Sequence, residues 1–446
     1  MTGHGINRRV ACTGLIGATA TLAGGRPVLA QQGGSAGAPV PPMDGAQLYK
    51  DVVTYDGFGW HRSGSRGDRQ TAIWVGSRLG ASGFTVDYDA FEVPAAEVTR
   101  ADITIGDDAP VTGHAQWPLT FTGPDGLEAP LGLFEPYAPS QALAGRIAVF
   151  PLPYRRHSSL MQPALLGAVN EAVEAGAVGV VLVPFGPSGT VIALNAPVSL
   201  PGIAIPLLTL APRDADPVLK AAGRGARARL TVDGPPLRTG SARNIRAEIK
   251  GQGPAIVVST PLSGWFHCAA ERGPGIAVFL ALAERLPAVA PGRRMIFVAN
   301  SGHELENAGA AHLLEKAAPP PEETVLWVHL GAGLAARGVF ELSPPRLLPS
   351  ADSQRYLLGT EDLVSDLRRA FAGLAGLEAV LPASPDRAAG ELRNVLEAGY
   401  TRAFGAFGGH PFHHSPQDRA DKTRPEILEP MGNAFLKALE AILPRL

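Results

Sequence analysis

The run Phe297-Val298-Ala299-Asn300-Ser301-Gly302-His303-Glu304 limits this chain most. It is a stretch of apolar residues that stops at a small-residue turn carrying a histidine and a carboxylate side by side. A buried strand feeding such a turn belongs to an α/β sheet, where ligands bind beyond the carboxyl ends of the strands. The neighbours fit that frame. Ile256 to Ser259 reads as a second β-rich run, Gly275 to Leu286 as an apolar helix, and Thr324 to Leu330 as a third strand that carries His329 near its end. The expected order is strand, helix, strand, helix, strand.

A chain of 446 residues, 45% of them hydrophobic, buries a large core and has room for more than one domain. Lys plus Arg (39) nearly balances Asp plus Glu (41), and no basic run is interleaved with aromatics, so nucleic acid is not an expected partner. Arg8-Arg9 precedes an uncharged run from Val10 to Ala23, and Val28-Leu29-Ala30 has the small-residue pattern of a cleavage site. Residues 1–30 are therefore expected to be an export signal with partial twin-arginine character, placing the protein in the periplasm or outside the cell. The apolar run is too short for a membrane span. Residues 31–43, rich in Gly, Ala and Pro, read as a flexible lead-in. Removal of the signal leaves Cys268 as the single cysteine, so no internal disulfide is expected.

Three pieces follow. Residues 44–116 hold two helices, Ala46 to Thr54 and Arg69 to Leu79, and an alternating strand from Phe84 to Val93. Residues 117–235 change texture. The strands Gly145 to Phe150, Gly176 to Val183, Ile203 to Leu210 and Ala226 to Val232, with a helix from Gln162 to Ala175, predict a small inserted β-rich domain. Residues 236–446 carry the strand and helix alternation, closed by an amphipathic helix from Pro425 to Leu443.

Gly145 to Val183 resembles a protease-associated domain, and the flanking segments resemble zinc aminopeptidases of the M28 family. Four blocks carry the likeness. Ser241-Ala242-Arg243-Asn244-Ile245 resembles the entry to the family's central sheet. Glu271-Arg272-Gly273-Pro274-Gly275 sits where the family has Asp-Asn-x-x-Gly. His303-Glu304 sits at its Glu-Glu pair, and His414-Ser415-Pro416-Gln417-Asp418 at its terminal His-Thr-x-x-Asp block. The resemblance implies a mixed sheet flanked by helices, with the small domain inserted.

The family's usual two-zinc ligand set is only partly present. The first histidine position falls at Pro261, which cannot bind a metal. The resemblance places Glu271 at the bridging aspartate, Glu304 at the ligand glutamate, His329 at or beside the second aspartate, and His414 at the last histidine. His303 takes the place of the general-base glutamate. A catalytic zinc needs three protein ligands and an open position, so Glu271, Glu304 and His414 form the expected set, with His329 as a fourth ligand or a contact to a substrate carbonyl. The glutaminyl cyclases, similar in fold, hold one zinc at these family positions, which makes a single-metal site an expectation here. An imidazole with a pKa of about 6.5 suits His303 to take a proton from water.

Each residue has a second reading. Glu271 is equally a ligand and half of an ion pair with Arg272. Glu304 equally caps a helix after Gly302, and His329 on an apolar strand is often a hydrogen-bonded core histidine. His414 stands beside His410 and His413. The block Ser263 to Gly273, dense in Trp, His, Cys, Glu and Arg, suggests a remodelled pocket. There Arg272 would bind a carboxylate or phosphate and Trp265 would form a wall, unless Trp265 and Phe266 only pack the loop. Cys268 beside His267 is weakly expected as a nucleophile. Three functions follow: a zinc-dependent hydrolase acting on a peptide or small amide, a non-catalytic protein binding a peptide or small molecule, and single-zinc acyl transfer.

Overall fold

The computed structural model describes residues 40–135, 143–341 and 345–446. The expected export signal and most of the lead-in lie outside these residues. The lead-in stops short of residue 43. Met43 is buried, and its N–H donates to Asn433 Oδ1, while the carbonyls of Pro41 and Pro42 accept from Arg285. No described helix is long and apolar enough to cross a membrane.

An eight-stranded mixed sheet forms the frame, in the spatial order Thr85–Ala95, Arg238–Ile249, Arg293–Asn300, Gln252–Pro261, Thr324–Leu330, Ala403–Gly408, Arg355–Gly359 and Val380–Pro382. Its middle is parallel. Gln252–Pro261 pairs in parallel with Arg293–Asn300 on one side and Thr324–Leu330 on the other, and Thr324–Leu330 with Ala403–Gly408. These strands are apolar on both faces because helices cover both. Gly45–Gly57, Ala269–Val289 and Pro425–Ile442 pack together over one face, and Ala308–Lys316 and Glu391–Glu397 lie on the other. The register sets Ser259 opposite His329 and Pro261 opposite Asn300, so the chemically useful residues gather at one edge.

The helix Ala269–Val289 begins six residues before the expected Gly275. Proline and glycine in Gly273-Pro274-Gly275 read as breakers, but two tertiary features override them. The Asp418 carboxylate accepts from the backbone N–H groups of Ala270 (2.8 Å) and Glu271 (3.2 Å), satisfying donors that a helix start leaves free. Gly273 lies so close to Val52 that an added Cβ would sit 2.9 Å from its side chain, so the small residue allows the helices to touch.

The inserted unit is a closed barrel of seven strands, in the order Arg100–Ile105, Val111–Ala115, Leu207–Leu210, Gly179–Pro184, Ile147–Leu152, Leu127–Leu133 and Arg227–Asp233. Two of its strands precede residue 117, where the sequence reading placed its start. They alternate like the neighbouring sheet strand, and nothing local marks the change of partner. The strand expected over Ile203 to Leu210 is confined to Leu207–Leu210. The helix Pro163–Glu174 and the strand Gly179–Pro184 match the expected elements closely.

Candidate metal centre

Four parallel strands end on the same side, and the segments that follow them build the centre. After Gln252–Pro261 the chain passes Ser263 and enters the helix that carries Glu271 and Arg272 in its first turn. After Arg293–Asn300 it turns through Ser301 and Gly302 into a short 3₁₀ turn with His303 and Glu304. Gly302 sits at φ +80°, and an added Cβ would lie 2.7 Å from the Gly309 nitrogen, so this turn requires glycine. After Ala403–Gly408 come His410, His413 and His414. His414 has φ +57°, a left-handed kink that brings two consecutive side chains to one side. Their rings stack with centroids 3.7 Å apart.

Glu271, His413 and His414 converge. His414 Nε2 lies 3.3 Å from Glu271 Oε1 and His413 Nδ1 lies 3.6 Å from Glu271 Oε2. One donor atom from each of the three falls within 4.8 Å of the others, and among the described residues no other group of three does so. Two ligands at about 2.0–2.1 Å from a tetrahedral zinc stand roughly 3.3 Å apart; His414 Nε2 and Glu271 Oε1 have that separation, and the three donors lie within 4.8 Å of one another. His414 Nδ1 lies 3.0 Å from the Ala193 carbonyl, which leaves Nε2 for the ion. His413 Nδ1 and both Glu271 oxygens are buried without a well-aligned hydrogen-bond partner.

Arg272 complicates the picture. It is 1% exposed, its Nε donates to the Ser263 carbonyl, and its Nη2 lies 2.6 Å from Glu271 Oε1. Burial alone would push the Glu271 carboxyl up, but the guanidinium, with His413 and His414, holds it well below the usual carboxylate range. Burial, followed by Arg272, holds His303 well below the ordinary imidazole value, so its ring is neutral near pH 7.

Two expected ligands are engaged elsewhere. Glu304 Oε1 accepts from the Ser63 N–H (2.6 Å) and Oε2 from the Ser263 hydroxyl (2.8 Å), so the carboxylate ties three loops together. It does not cap the helix Ala308–Lys316. His329 Nδ1 lies 2.9 Å from Ser259 Oγ, which also accepts from Trp327, and burial pushes its pKa down to about 4. It is a core histidine. Pro261 closes off the expected first histidine position, and no described residue group supplies a second metal.

Trp265, expected to wall a pocket, is 2% exposed and packs in the cluster between the barrel's outer face and the helix Pro163–Glu174, donating to Asn195 Oδ1. Cys268 is no nucleophile. Its thiol lies 3.1 Å from Tyr55 Oη, burial pushes its pKa up, and His267 faces Asp56 instead. One residue was invisible from sequence. Glu391, at the start of Glu391–Glu397, sets Oε1 3.4 Å from His303 Nδ1, while Asn300 donates to its Oε2.

No protein-family model matches the chain, and no curated protein matches it. Solved structures do. A zinc aminopeptidase from Bacillus subtilis is similar with TM-score 0.68 and 17% identity, over 90% of this chain and 96% of that one. A peptidase M28 precursor from Shewanella amazonensis SB2B gives TM-score 0.66 and 20% identity, over 89% and 95%. An aminopeptidase from Aneurinibacillus sp. strain AM-1 gives 0.60 and 16%, over 89% and 94%. The fold is that of the M28 peptidases. Of the expected ligands, Glu271 and His414 fall in the three-donor cluster together with His413, while Glu304 is bonded to Ser63 and Ser263 and His329 to Ser259.

The barrel lies directly on this centre. Ala193 exchanges a second contact with His414, its N–H donating to the His414 carbonyl, and the Ala196 N–H donates to the Glu304 carbonyl. A small cleft of about 20 Å³ is lined in part by Arg155, His157, Ile192, His410 and His413. A larger cavity of about 210 Å³ lies beside Ser63 and holds none of the three clustered donors.

Proposed function

We propose that this chain is an exported, zinc-dependent hydrolase of peptide or amide bonds that works with one metal ion, held by Glu271, His413 and His414. The convergence of these three buried donors within 4.8 Å of one another carries the reading. Zinc bound there would polarise a substrate carbonyl and lower the pKa of water. The chain's own groups would do the rest. His303, kept neutral by burial, accepts a proton at a ring nitrogen, and Glu391 beside Nδ1 steadies the resulting imidazolium. The barrel segment at Ala193 orients His414 and covers the centre from water. Export rests on the sequence of residues 1–30, and the barrel is proposed to be a protease-associated module.

One observation favours a second reading. The Glu271–Arg272 pair at 2.6 Å balances charge without a metal, as a non-catalytic binding protein on this scaffold would. Turnover separates the two. Incubated with zinc and a panel of aminoacyl 4-nitroanilides and N-acyl amino acids, the chain is expected to hydrolyse at least one compound, to stop on chelation and to resume with zinc. Stoichiometric zinc with no hydrolysis across the panel, or hydrolysis that ignores the chelator, would overturn the reading.

A further inference from the structure

The cavity of about 210 Å³ beside Ser63 is lined by Arg62 to Gly64, Val93 to Glu97, Arg238 and Gly240. It lies where the chain crosses between sheet and barrel. Ala96 to Thr99 leads from the strand Thr85–Ala95 into the barrel, and Gly234 to Leu237 returns to the strand Arg238–Ile249. Ala95, Glu97 and Arg238 are exposed, so the cavity opens to solvent. A single water needs about 10–15 Å³, so there is room for a small organic molecule.

Its charge is uneven. Arg62 is half-buried, and its Nη2 donates to the Ala96 carbonyl. The remaining N–H groups of that guanidinium meet no acceptor among the described residues and are not sealed from solvent, so they are open to the cavity. Burial presses the Arg62 pKa down, and the carboxylate that opposes this is Glu304, whose oxygens are taken by Ser63 and Ser263. Arg238 stands opposite Ala95 in the strand ladder, one residue from the carbonyl that holds Arg62. Its exposed side chain has no hydrogen bond or ion pair to a described residue. Glu97 is the one carboxylate of the lining; it is exposed and pairs with neither arginine. Two positive charges therefore face one negative charge. A partly desolvated cation without a counter-ion gains from an anion, and guanidinium forks match the paired oxygens of carboxylates and phosphates. Val93, Pro94 and Ala95 give the same cavity an apolar side.

We propose that this cavity binds a small organic anion, its carboxylate or phosphate group seated between Arg62 and Arg238 and its carbon part against Val93 and Pro94. The site is separate from the cluster of Glu271, His413 and His414, and it stands whether or not the chain is a hydrolase.

The test is calorimetric titration of the full chain with phenyl phosphate, with benzoate and with benzamide, the neutral isostere of benzoate. At least one of the anions is expected to bind about tenfold tighter than benzamide or better, and the tighter of the two identifies the head group. Arg238→Met changes an exposed side chain and should weaken that anion about tenfold. Arg62→Met should weaken it as well, Glu97→Gln should tighten it, and Arg224→Ala, an exposed arginine outside the cavity, should leave it unchanged. Equal binding of the anions and benzamide, or no binding of any of the three, would overturn the site without recourse to a variant. So would undiminished binding by folded Arg238→Met. Binding lost in His414→Ala but kept in both arginine variants would put the anion on the metal centre, and would overturn it too.

Discussion

Glu304 and Glu271 are both fully buried carboxylates, yet the structure gives them opposite duties. Glu304 spends both oxygens on Ser63 and Ser263, so Glu304→Ala should retain bound metal while leaving two buried donors unmet, at a cost of about 1–3 kcal/mol seen as a lower Tm. His414→Ala should do the reverse, losing metal with the fold kept, and Glu271→Gln should lose metal and also lower Tm, because it strips the buried Arg272 guanidinium of its counter-charge. Asp68 gives a pH prediction. Burial, opposed by bonds from the Gly64 N–H and the Ser301 hydroxyl, pushes its pKa from 3.8 up to about 7. The folded chain then holds a proton that the unfolded chain has released, so stability falls as pH rises through this window, by at most about 1.4 kcal/mol per unit. Thermal melts from pH about 4 to about 7 should show this slope, and Asp68→Asn should flatten it. Sequence reached Glu271 and His414 because each sits in a spaced block. It missed His413 because neighbouring side chains normally diverge, and only the left-handed backbone of His414 makes them converge. Glu391 had no local signal at all, since its partner His303 lies far away in the chain.

At the scale of elements, the site depends on how tightly the strand ends are packed. Gly309 opens the helix Ala308–Lys316 against the turn of Ser301, where an added Cβ would lie 1.9 Å from the Ser301 carbonyl oxygen. Gly309→Ala must therefore displace the turn bearing His303, and a fall in Tm together with weakened turnover is expected. Trp265 joins two elements, since it leaves the sheet domain to pack in the cluster that the helix Pro163–Glu174 forms on the outer face of the barrel. Trp265→Ala should cost about 3–5 kcal/mol, measured by denaturant unfolding. Three strands of the parallel centre were legible because they contain apolar runs, whereas the fourth, Ala403–Gly408, was not read, its Gly and Ala residues giving little strand signal. The start of the helix Ala269–Val289 was not, because its cap, Asp418, arrives from the other end of the chain and local propensity favours a break. The first two barrel strands, Arg100–Ile105 and Val111–Ala115, were not read as strands and were counted with the flanking domain, because short segments with one buried face carry a weak periodic signal that does not say which sheet they join.

On the scale of the whole molecule, barrel and sheet act as one body around the centre. Residues from Val40 onward form a single compact unit, and contacts from Ala193 and Ala196 reach His414 and Glu304. One cooperative unfolding transition is expected by calorimetry, shifted upward by zinc because the ion binds only the folded chain. Two separated transitions would mean that the barrel does not help hold the centre. The most direct test of the single-ion centre is metal content by mass spectrometry after dialysis, for the unaltered chain and for Glu271→Gln, His413→Ala, His414→Ala and Glu304→Ala. One zinc per chain, absent from the first three variants and kept in Glu304→Ala, is the expected result. No zinc in the unaltered chain, or zinc lost with Glu304 and kept without His413, would contradict it.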